Sequence, residues 1–476
     1  MNAFFDFFTG DFCQFLWQGI LIPLVLLGGV CFTLQTRGMQ LLRAPLILRE
    51  TLGRLFQKSK SHGDGVSPFQ ALCTALAGTV GTGSIVGTCQ ALALGGPGAL
   101  FWLWVAAFFG MIIKYFEVVL AIRFRVRDEK GEWQGGPMYY ILRGMGKPFR
   151  PLAILFALFA LLSSFGMGCL AQSNSVFAGV RGMAASIRPL SESAEQGLAR
   201  GVALAIALVL GFSLLGGVKR IGRVAELLVP VISLAFTGGA LWVILCHRQR
   251  LPWVFCTVIR SAFGKEALLG AGAGIGFKTA LEWGLKRSAF SNEAGLGSAA
   301  IAHANAETDD PVRQGFLGIF EVFVDTLVIC SLTGITILAA LPMEHIFSHP
   351  SPDATLITDA LATVFGGRFS LLFIGGSLAL FAFSTLLGWS LYGARCAAFL
   401  WGSIGAALYR PLFVICAALG ALLAMEPIWA ISDVFNALMA IPNFIALFAL
   451  SRTVCAETKR FFQSMSAHSR SPRKKI

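Results

Sequence analysis

Lys114, Glu117, Glu293 and Asp325 fall inside long apolar runs. An ionisable side chain at that depth is expensive unless it faces a partner, a cavity or a transported ion. Lys114 and Glu117 are three apart and are expected to neutralise each other across one helical turn. Asp325 and Glu293 suit either of two tasks, carrying a proton or capping the amides of an interrupted helix. Gln172, within the run from Gly166 to Asn174, offers a neutral amide that either holds an ammonium or carboxylate or ties two helices together. Trp389 either covers a small bound molecule or packs as an ordinary aromatic. Ser384 and Thr385 supply two hydroxyls that either complete the oxygen shell of a hard cation or bond back to their own helix. His345 and His349 are four apart, but in a Pro-flanked loop with no clear third ligand. The sequence contains no H-E-x-x-H, G-x-S-x-G or Walker A pattern, which argues against an enzyme.

The element that must position these groups is the stretch Ala77-Gly78-Thr79-Val80-Gly81-Thr82-Gly83-Ser84-Ile85-Val86-Gly87, in the middle of an apolar segment from Phe69 to Leu94. Each glycine costs a helix about 1 kcal/mol relative to alanine, and the hydroxyls offer competing hydrogen bonds. The stretch therefore predicts a helix that breaks near the membrane midplane, where freed backbone groups are tolerated only if buried or lining a cavity. A packing face alone needs a small residue only at every fourth position. Half-helix N-termini attract a carboxylate and unwound carbonyls attract a small cation, so an amino-acid zwitterion with sodium satisfies both. Glycine-rich walls leave little room for a bulky side chain.

The 476 residues are 56% hydrophobic with only 13% charged, and the mean hydropathy is +0.72. That composition specifies an all-α polytopic membrane protein with one membrane domain. The first apolar run, Phe12 to Leu34, lacks a basic flank and reads as a retained span. The net charge of +13 is distributed as membrane topology rather than as a nucleic-acid footprint. Six Lys/Arg lie between Gln35 and Val66, seven between Arg123 and Arg150, and seven from Arg452 onward. Placing these in the cytoplasm puts the N-terminus outside and the C-terminus inside. The segment His247 to Lys265, with four basic residues, then falls on the outer side against the trend. The eleven cysteines are scattered singly and read as small buried hydrophobes.

Apolar run lengths give eleven spans, near 12–34, 69–94, 98–122, 151–182, 200–217, 224–246, 289–306, 314–341, 370–394, 404–425 and 427–450. Residues 277–287, with Lys278, Glu282 and Lys286 at i, i+4, i+8, read as an amphipathic helix at the interface. Pro342 to Arg368 reads as an outer loop, and the chain from Glu457 as a disordered basic tail with some attraction to anionic lipid. A second interruption runs from Phe290 to Ser298. A shift of 214 residues carries Gly81, Gly83, Ser84 and Pro97 onto Gly295, Gly297, Ser298 and Pro311. The expectation is one N-terminal helix followed by a five-plus-five inverted repeat with a broken helix opening each half. The membrane domain then covers 1–456, its repeats 69–246 and 265–450, with the tail at 457–476.

Six motifs in order carry a family resemblance over most of the chain. They are Gly81-Thr82-Gly83-Ser84-Ile85, Gly95-Gly96-Pro97-Gly98, Gly135-Gly136-Pro137-Met138-Tyr139-Tyr140, Phe290 to Ser298, Val324-Asp325-Thr326 and Gly388-Trp389-Ser390. The chain resembles the alanine/glycine:cation symporter family. The resemblance implies sodium-coupled uptake of alanine or glycine across a bacterial inner membrane, on the fold of the leucine transporter, with no cofactor beyond the coupling ion. It also implies a substrate pocket at Thr82, Gly83, Gln172, Phe290, Ser291 and Trp389. The sodium site would use the Ala77 and Val80 carbonyls with the Ser384 and Thr385 hydroxyls. One position departs from the family pattern: Ser84 stands where the family usually has Asn, keeping a short oxygen ligand but losing the amide. A proton-coupled permease for small neutral amino acids is the competing reading. A channel and an intramembrane enzyme rank lower.

Overall fold

A computed structural model of the chain describes residues 7–55, 66–263, 276–349, 353–423 and 426–470, and these are nearly all helical. Residues 265–275 of the expected second repeat and 471–476 of the tail lie outside this set. The first helix, α1, is Phe8–Gln35. The broken helix follows as α2 (Pro68–Thr79) and α3 (Thr82–Gly95), then α4 (Gly98–Phe124). A two-stranded hairpin, β1 (Val126–Arg127) and β2 (Trp133–Gln134), leads to α5 (Lys147–Ile187), α6 (Glu192–Leu215), α7 (Gly217–Cys246) and the short α8 (Leu251–Phe263). The second broken helix is α9 (Phe277–Asn292) and α10 (Ser298–His303). After it come α11 (Pro311–Ala340), α12 (Met343–Ser348), α13 (Thr355–Phe365), α14 (Gly367–Gly420), α15 (Glu426–Ala449) and α16 (Ser451–Arg470).

Among the described residues, nine helices are long and apolar enough to cross a bilayer. At 54 residues, α14 is too long for one crossing, and its backbone leaves helical geometry at Trp401 and Gly402, where φ is 68°. Helix starts at 98, 150, 192 and 217 in the first half pair with 311, 367, 403 and 426 in the second, the last-but-one taken just beyond that kink. These pairs lie 209 to 217 residues apart, close to the shift of 214 at the two breaks. The exterior of α6 is a stripe of exposed Leu204, Leu208, Phe212 and Leu215. In water that would be an aggregation surface; in lipid it is the expected solvent contact.

Three expectations are corrected. Residues 277–287 are not a separate interfacial helix. They form the first three turns of α9 and continue without interruption into the second break, so the seventh crossing begins about three turns before 289. The i, i+4 spacing is real, with Lys278 Nζ 3.6 Å from Glu282, while Lys286 reaches Asp433 at 3.2 Å. The region from Pro342 to Arg368 carries two helices, α12 and α13, where a loop was expected. The chain beyond Glu457 is helical to Arg470 because Phe461 and Val454 bury one face of α16 against the bundle, despite its basic composition.

The basic regions gather at one end. Arg43 lies over the Phe462 ring at 5.1 Å, Arg123 pairs with Glu457 at 3.1 Å and Arg313 with Glu50 at 3.4 Å. At the other end Trp17 donates to the Asp433 carbonyl and Arg250 to that of Leu341. Close backbone approach fixes the middle. A Cβ on Gly388 of α14 would stand 2.9 Å from the Gly78 amide nitrogen of α2, so only glycine lets α14 lie against the first break.

Candidate functional site

The first break ends α2 at Thr79. Val80 and Gly81 are extended, and α3 begins at Thr82. The Gly81 N–H, which in an unbroken helix would return to Ala77, is turned to Ser84 Oγ at 3.4 Å. The Ala77 carbonyl thus loses its usual helical partner, and Ala77 and Val80 are both fully buried. Thr385 of α14 faces this bend: a Cβ on Gly81 would come within 2.6 Å of Thr385 Oγ1. The Ser384 and Thr385 hydroxyls donate to the Phe381 carbonyl at 2.7 and 3.1 Å, the bland fate for such residues. A hydroxyl that donates in this way keeps its lone pairs, so the bond does not stop it ligating a cation.

A cavity of about 680 Å³ opens from the end of the bundle that holds Asp433 and reaches down to Thr82, Gly83 and Phe290. Its lower wall joins the two breaks, because Phe290 on α9 lies beside Gly83 at the start of α3. The first amides of a helix lack i−4 carbonyls, which makes the start of α3 a natural seat for a carboxylate, with Ser84 N–H already returned to the Gly81 carbonyl at 3.2 Å. Thr82 Oγ1 donates to Gln172 Oε1 at 3.2 Å, so the α5 amide is tied to the cavity floor through Thr82. The structure thus brings Thr82, Gly83, Gln172 and Phe290 together.

Ser291 and Trp389 lie elsewhere. Ser291 turns away from the cavity and donates to Asp325 Oδ2 at 2.8 Å. Trp389 is not a lid over open space: it is wholly buried among helices, with Nε1 donating to Glu293 Oε1 at 3.0 Å. It fits there because Gly168, in a widened turn of α5, has no side chain; a Cβ would stand 2.4 Å from that of Trp389.

Asp325 proves to be the joint between the breaks. It sits in a widened turn of α11, fully buried, and accepts from Ser84 Oγ at 2.5 Å, Ser291 Oγ at 2.8 Å and Thr326 Oγ1 at 2.8 Å. Ser84 belongs to the first interruption and Ser291 to the second, and the two hydroxyls are 3.1 Å apart. The serine that replaces the usual asparagine thus donates to a carboxylate.

The second break is held differently. Glu117 Oε1 accepts from the Gly295 and Gly297 amides, both at 3.0 Å, and from Asn443 Nδ2 at 2.6 Å. The expected neutralisation of Lys114 by Glu117 is corrected: Lys114 Nζ pairs with Glu321 at 3.4 Å, because α11 packs along the same face of α4. Glu321 also meets His303 Nε2 at 3.0 Å, and His303 Nδ1 meets Gln314 at 2.8 Å. Glu293 sits at a left-handed φ of 53° and accepts from Ser298 and Trp389. A non-glycine residue there is strained by about 1 kcal/mol, and the two donors to its carboxylate hold it in place.

Sequence reasoning missed Arg287. It lines the cavity with its guanidinium 5.7 Å from the Phe290 ring centre and 5.2 Å from that of Trp283. The signal was its position three residues before Phe290, one turn up the same helix. On the opposite end, a second cavity of about 770 Å³ is lined by the hairpin residues Asp128 and Glu132 and by Arg395, which bonds Glu132 at 3.1 Å and Asn305 at 2.9 Å. Burial raises the Asp128 carboxyl, but donors from Gln134 and the Glu132 and Lys130 amides outweigh it and hold it below the ordinary value.

Comparison with known proteins decides the family. Residues 2–475 match the sodium:alanine symporter family. The chain belongs to that family. It is 41% identical over 457 residues to the sodium/alanine symporter AgcS of Methanococcus maripaludis, covering 94% of this chain and 95% of that one. It is 32% identical over 474 residues to the putative sodium/proton-dependent alanine carrier protein YrbD of Bacillus subtilis, covering 95% and 92%. Among solved structures, the crystal structure of MhsT in complex with L-phenylalanine aligns with a TM-score of 0.60 at 12% identity, over 84% of this chain and 93% of that one. At that identity the likeness speaks for the fold alone. Membership in the family makes this chain a multi-pass secondary transporter on the leucine-transporter type of fold.

Proposed function

We propose that the chain imports alanine or glycine together with sodium, by alternating access, across a bacterial inner membrane. The observation that carries this reading is the shared floor of one cavity, where Thr82 and Gly83 at the start of α3 meet Phe290 beside the second break. The amino-acid carboxylate would sit at the α3 amides, with Gln172 and Thr82 as polar neighbours and Phe290 limiting side-chain size. Sodium would sit one layer away, among the Ala77 and Val80 carbonyls and the Ser384 and Thr385 hydroxyls, with Thr385 already against Gly81. Because ion and substrate use the same bend, each favours the conformation that holds the other. One sodium crossing 100 mV supplies about 2.3 kcal/mol beyond its concentration gradient. Gathering of the basic regions at one end supports a cytoplasmic C-terminus and an external N-terminus under the positive-inside rule. The alanine names of AgcS and YrbD support the substrate class.

Proton coupling is the second reading, favoured by a buried carboxylate, Asp325, bridging both breaks. The test is uptake of labelled L-alanine, D-alanine and glycine into proteoliposomes with inward sodium or proton gradients imposed separately. Uptake driven by sodium alone is expected. Uptake driven only by protons would move the ion role to Asp325, and none under either gradient would remove alanine and glycine as substrates.

A further inference from the structure

The two histidines that lacked a third ligand in the sequence gain one in the fold. His345 lies on α12 and His349 just past its end, four residues apart and therefore on one face. Asp359 comes from α13, the next helix. His345 Nε2 is 2.8 Å and His349 Nε2 is 3.6 Å from the same oxygen, Asp359 Oδ2. The imidazole rings stand 5.6 Å apart at 71°. One ligand atom from each of the three residues lies within 4.8 Å of the others. Around a tetrahedral ion with bonds of about 2.0–2.2 Å, neighbouring ligand atoms are about 3.4 Å apart, so small side-chain rotations suffice. Thr355 Oγ1 also approaches His349 Nε2, at 3.2 Å.

We propose that His345, His349 and Asp359 form a divalent transition-metal site, with zinc as the fitting ion, and that its occupancy restrains transport. Two imidazoles and one carboxylate suit zinc rather than a hard alkali or alkaline-earth ion, and leave a fourth position for water. An ion pair with Asp359 explains the placement of His345, and the Thr355 hydroxyl gives His349 Nε2 a contact at 3.2 Å, but neither requires both imidazoles to converge on one carboxylate. His345 and Asp359 are 43% and 41% exposed, so an ion reaches them from solvent. The consequence follows from position. Thr355 and Thr358 of α13, with Asp353 just before it, line the cavity whose floor is Thr82, Gly83 and Phe290. An ion joining α12 to α13 fixes that wall, and any motion that closes the cavity must then carry both helices together.

The restraint rests on the transport reading above; the metal site does not. The experiment has two arms. Zinc chloride is titrated calorimetrically into untagged, purified protein in a non-chelating buffer, for the wild type, His345→Ala, His349→Ala and Asp359→Asn. A saturable site weakened at least about tenfold by each substitution is expected. No zinc binding by the wild type, or equal binding by the His345→Ala/His349→Ala protein, overturns the site. In the second arm, zinc is added to proteoliposomes during alanine uptake. Several-fold slowing of the wild type and none of the double histidine variant is expected. Equal rates with and without zinc, despite specific binding, overturn the restraint. If zinc-free wild-type liposomes take up no alanine, the transport reading fails while the calorimetric arm still judges the site.

Discussion

The two helix breaks solve one problem with different chemistry. At the first, the side chains that meet the bend are hydroxyls: Gly81 N–H turns to Ser84 Oγ at the long distance of 3.4 Å, and Thr385 stands beside it. At the second, a buried carboxylate takes two amides and a side-chain amide at once, through Glu117, and a second carboxylate, Glu293, anchors Trp389. Charge-assisted bonds of the second kind are roughly twice as strong as neutral ones. A loosely satisfied bend keeps its carbonyls available to an ion, whereas a strongly satisfied one is a fixed wall. On the proposed reading, the first break is the one that binds and responds, and the second the frame against which it does so. Asp325 joins them by accepting from a serine of each.

Removing Glu117 should show the difference most sharply. Glu117→Ala leaves the Gly295 and Gly297 amides and the Asn443 amide buried without that acceptor, at roughly 1–3 kcal/mol each. Thermal unfolding in detergent should show a loss above about 3 kcal/mol, partly regained in Glu117→Gln, which keeps one acceptor oxygen. Near-wild-type melting of the alanine variant would mean the second break is not held this way.

The first break should respond in function more than in stability. Gly81→Ala pushes against Thr385 Oγ1, a contact of 2.6 Å that a χ1 rotation of Thr385 relieves at the expense of its bond to the Phe381 carbonyl, so stability should fall by only about 1–2 kcal/mol. The sodium concentration needed for half-maximal uptake should rise several-fold. Unchanged sodium dependence would separate Thr385 from the ion.

Asp325→Asn tests the joint. Asparagine keeps one carbonyl for the three hydroxyl donors, so a loss of about 1–2 kcal/mol in stability is expected, with uptake reduced but still driven by sodium. Complete loss of transport in this variant, with wild-type uptake that follows the proton gradient and not the sodium gradient, would instead assign Asp325 a transported proton. The smallest effect belongs to Thr82→Val, which preserves shape and removes the hydroxyl bonded to Gln172. Apparent alanine affinity should weaken about fivefold, near 1 kcal/mol, with stability lowered by no more than about 1 kcal/mol for the Gln172 oxygen that loses this donor. Equal uptake kinetics would take Thr82 out of the pocket.

Both breaks were legible because glycine density within an apolar run has a direct backbone cost, and the 214-residue shift preserved the residues at the bends. The long-range polar partners were not. Glu117 lies 178 residues from Gly295 and Lys114 more than 200 from Glu321, and local spacing wrongly paired the two α4 residues with each other. Residues 277–287 looked interfacial because Lys278, Glu282 and Lys286 repeat at i, i+4, i+8, yet Gly284 and Leu285 in the same stretch are buried. Trp389 stayed open between a cover and a packing aromatic because sequence gives no sign that Gly168, over 200 residues away, clears a slot for it. Asp359 was invisible as a ligand for the same reason: it meets His345 across two helices, α12 and α13, where a loop was expected.

The central claim is that ion and substrate share the first break. Equilibrium binding of labelled alanine to the purified protein, measured across a sodium series at constant ionic strength, tests it most directly. Alanine affinity should rise at least about fivefold with sodium, and Thr385→Ala should abolish the rise while leaving sodium-free binding intact. The same alanine affinity at every sodium concentration would contradict it.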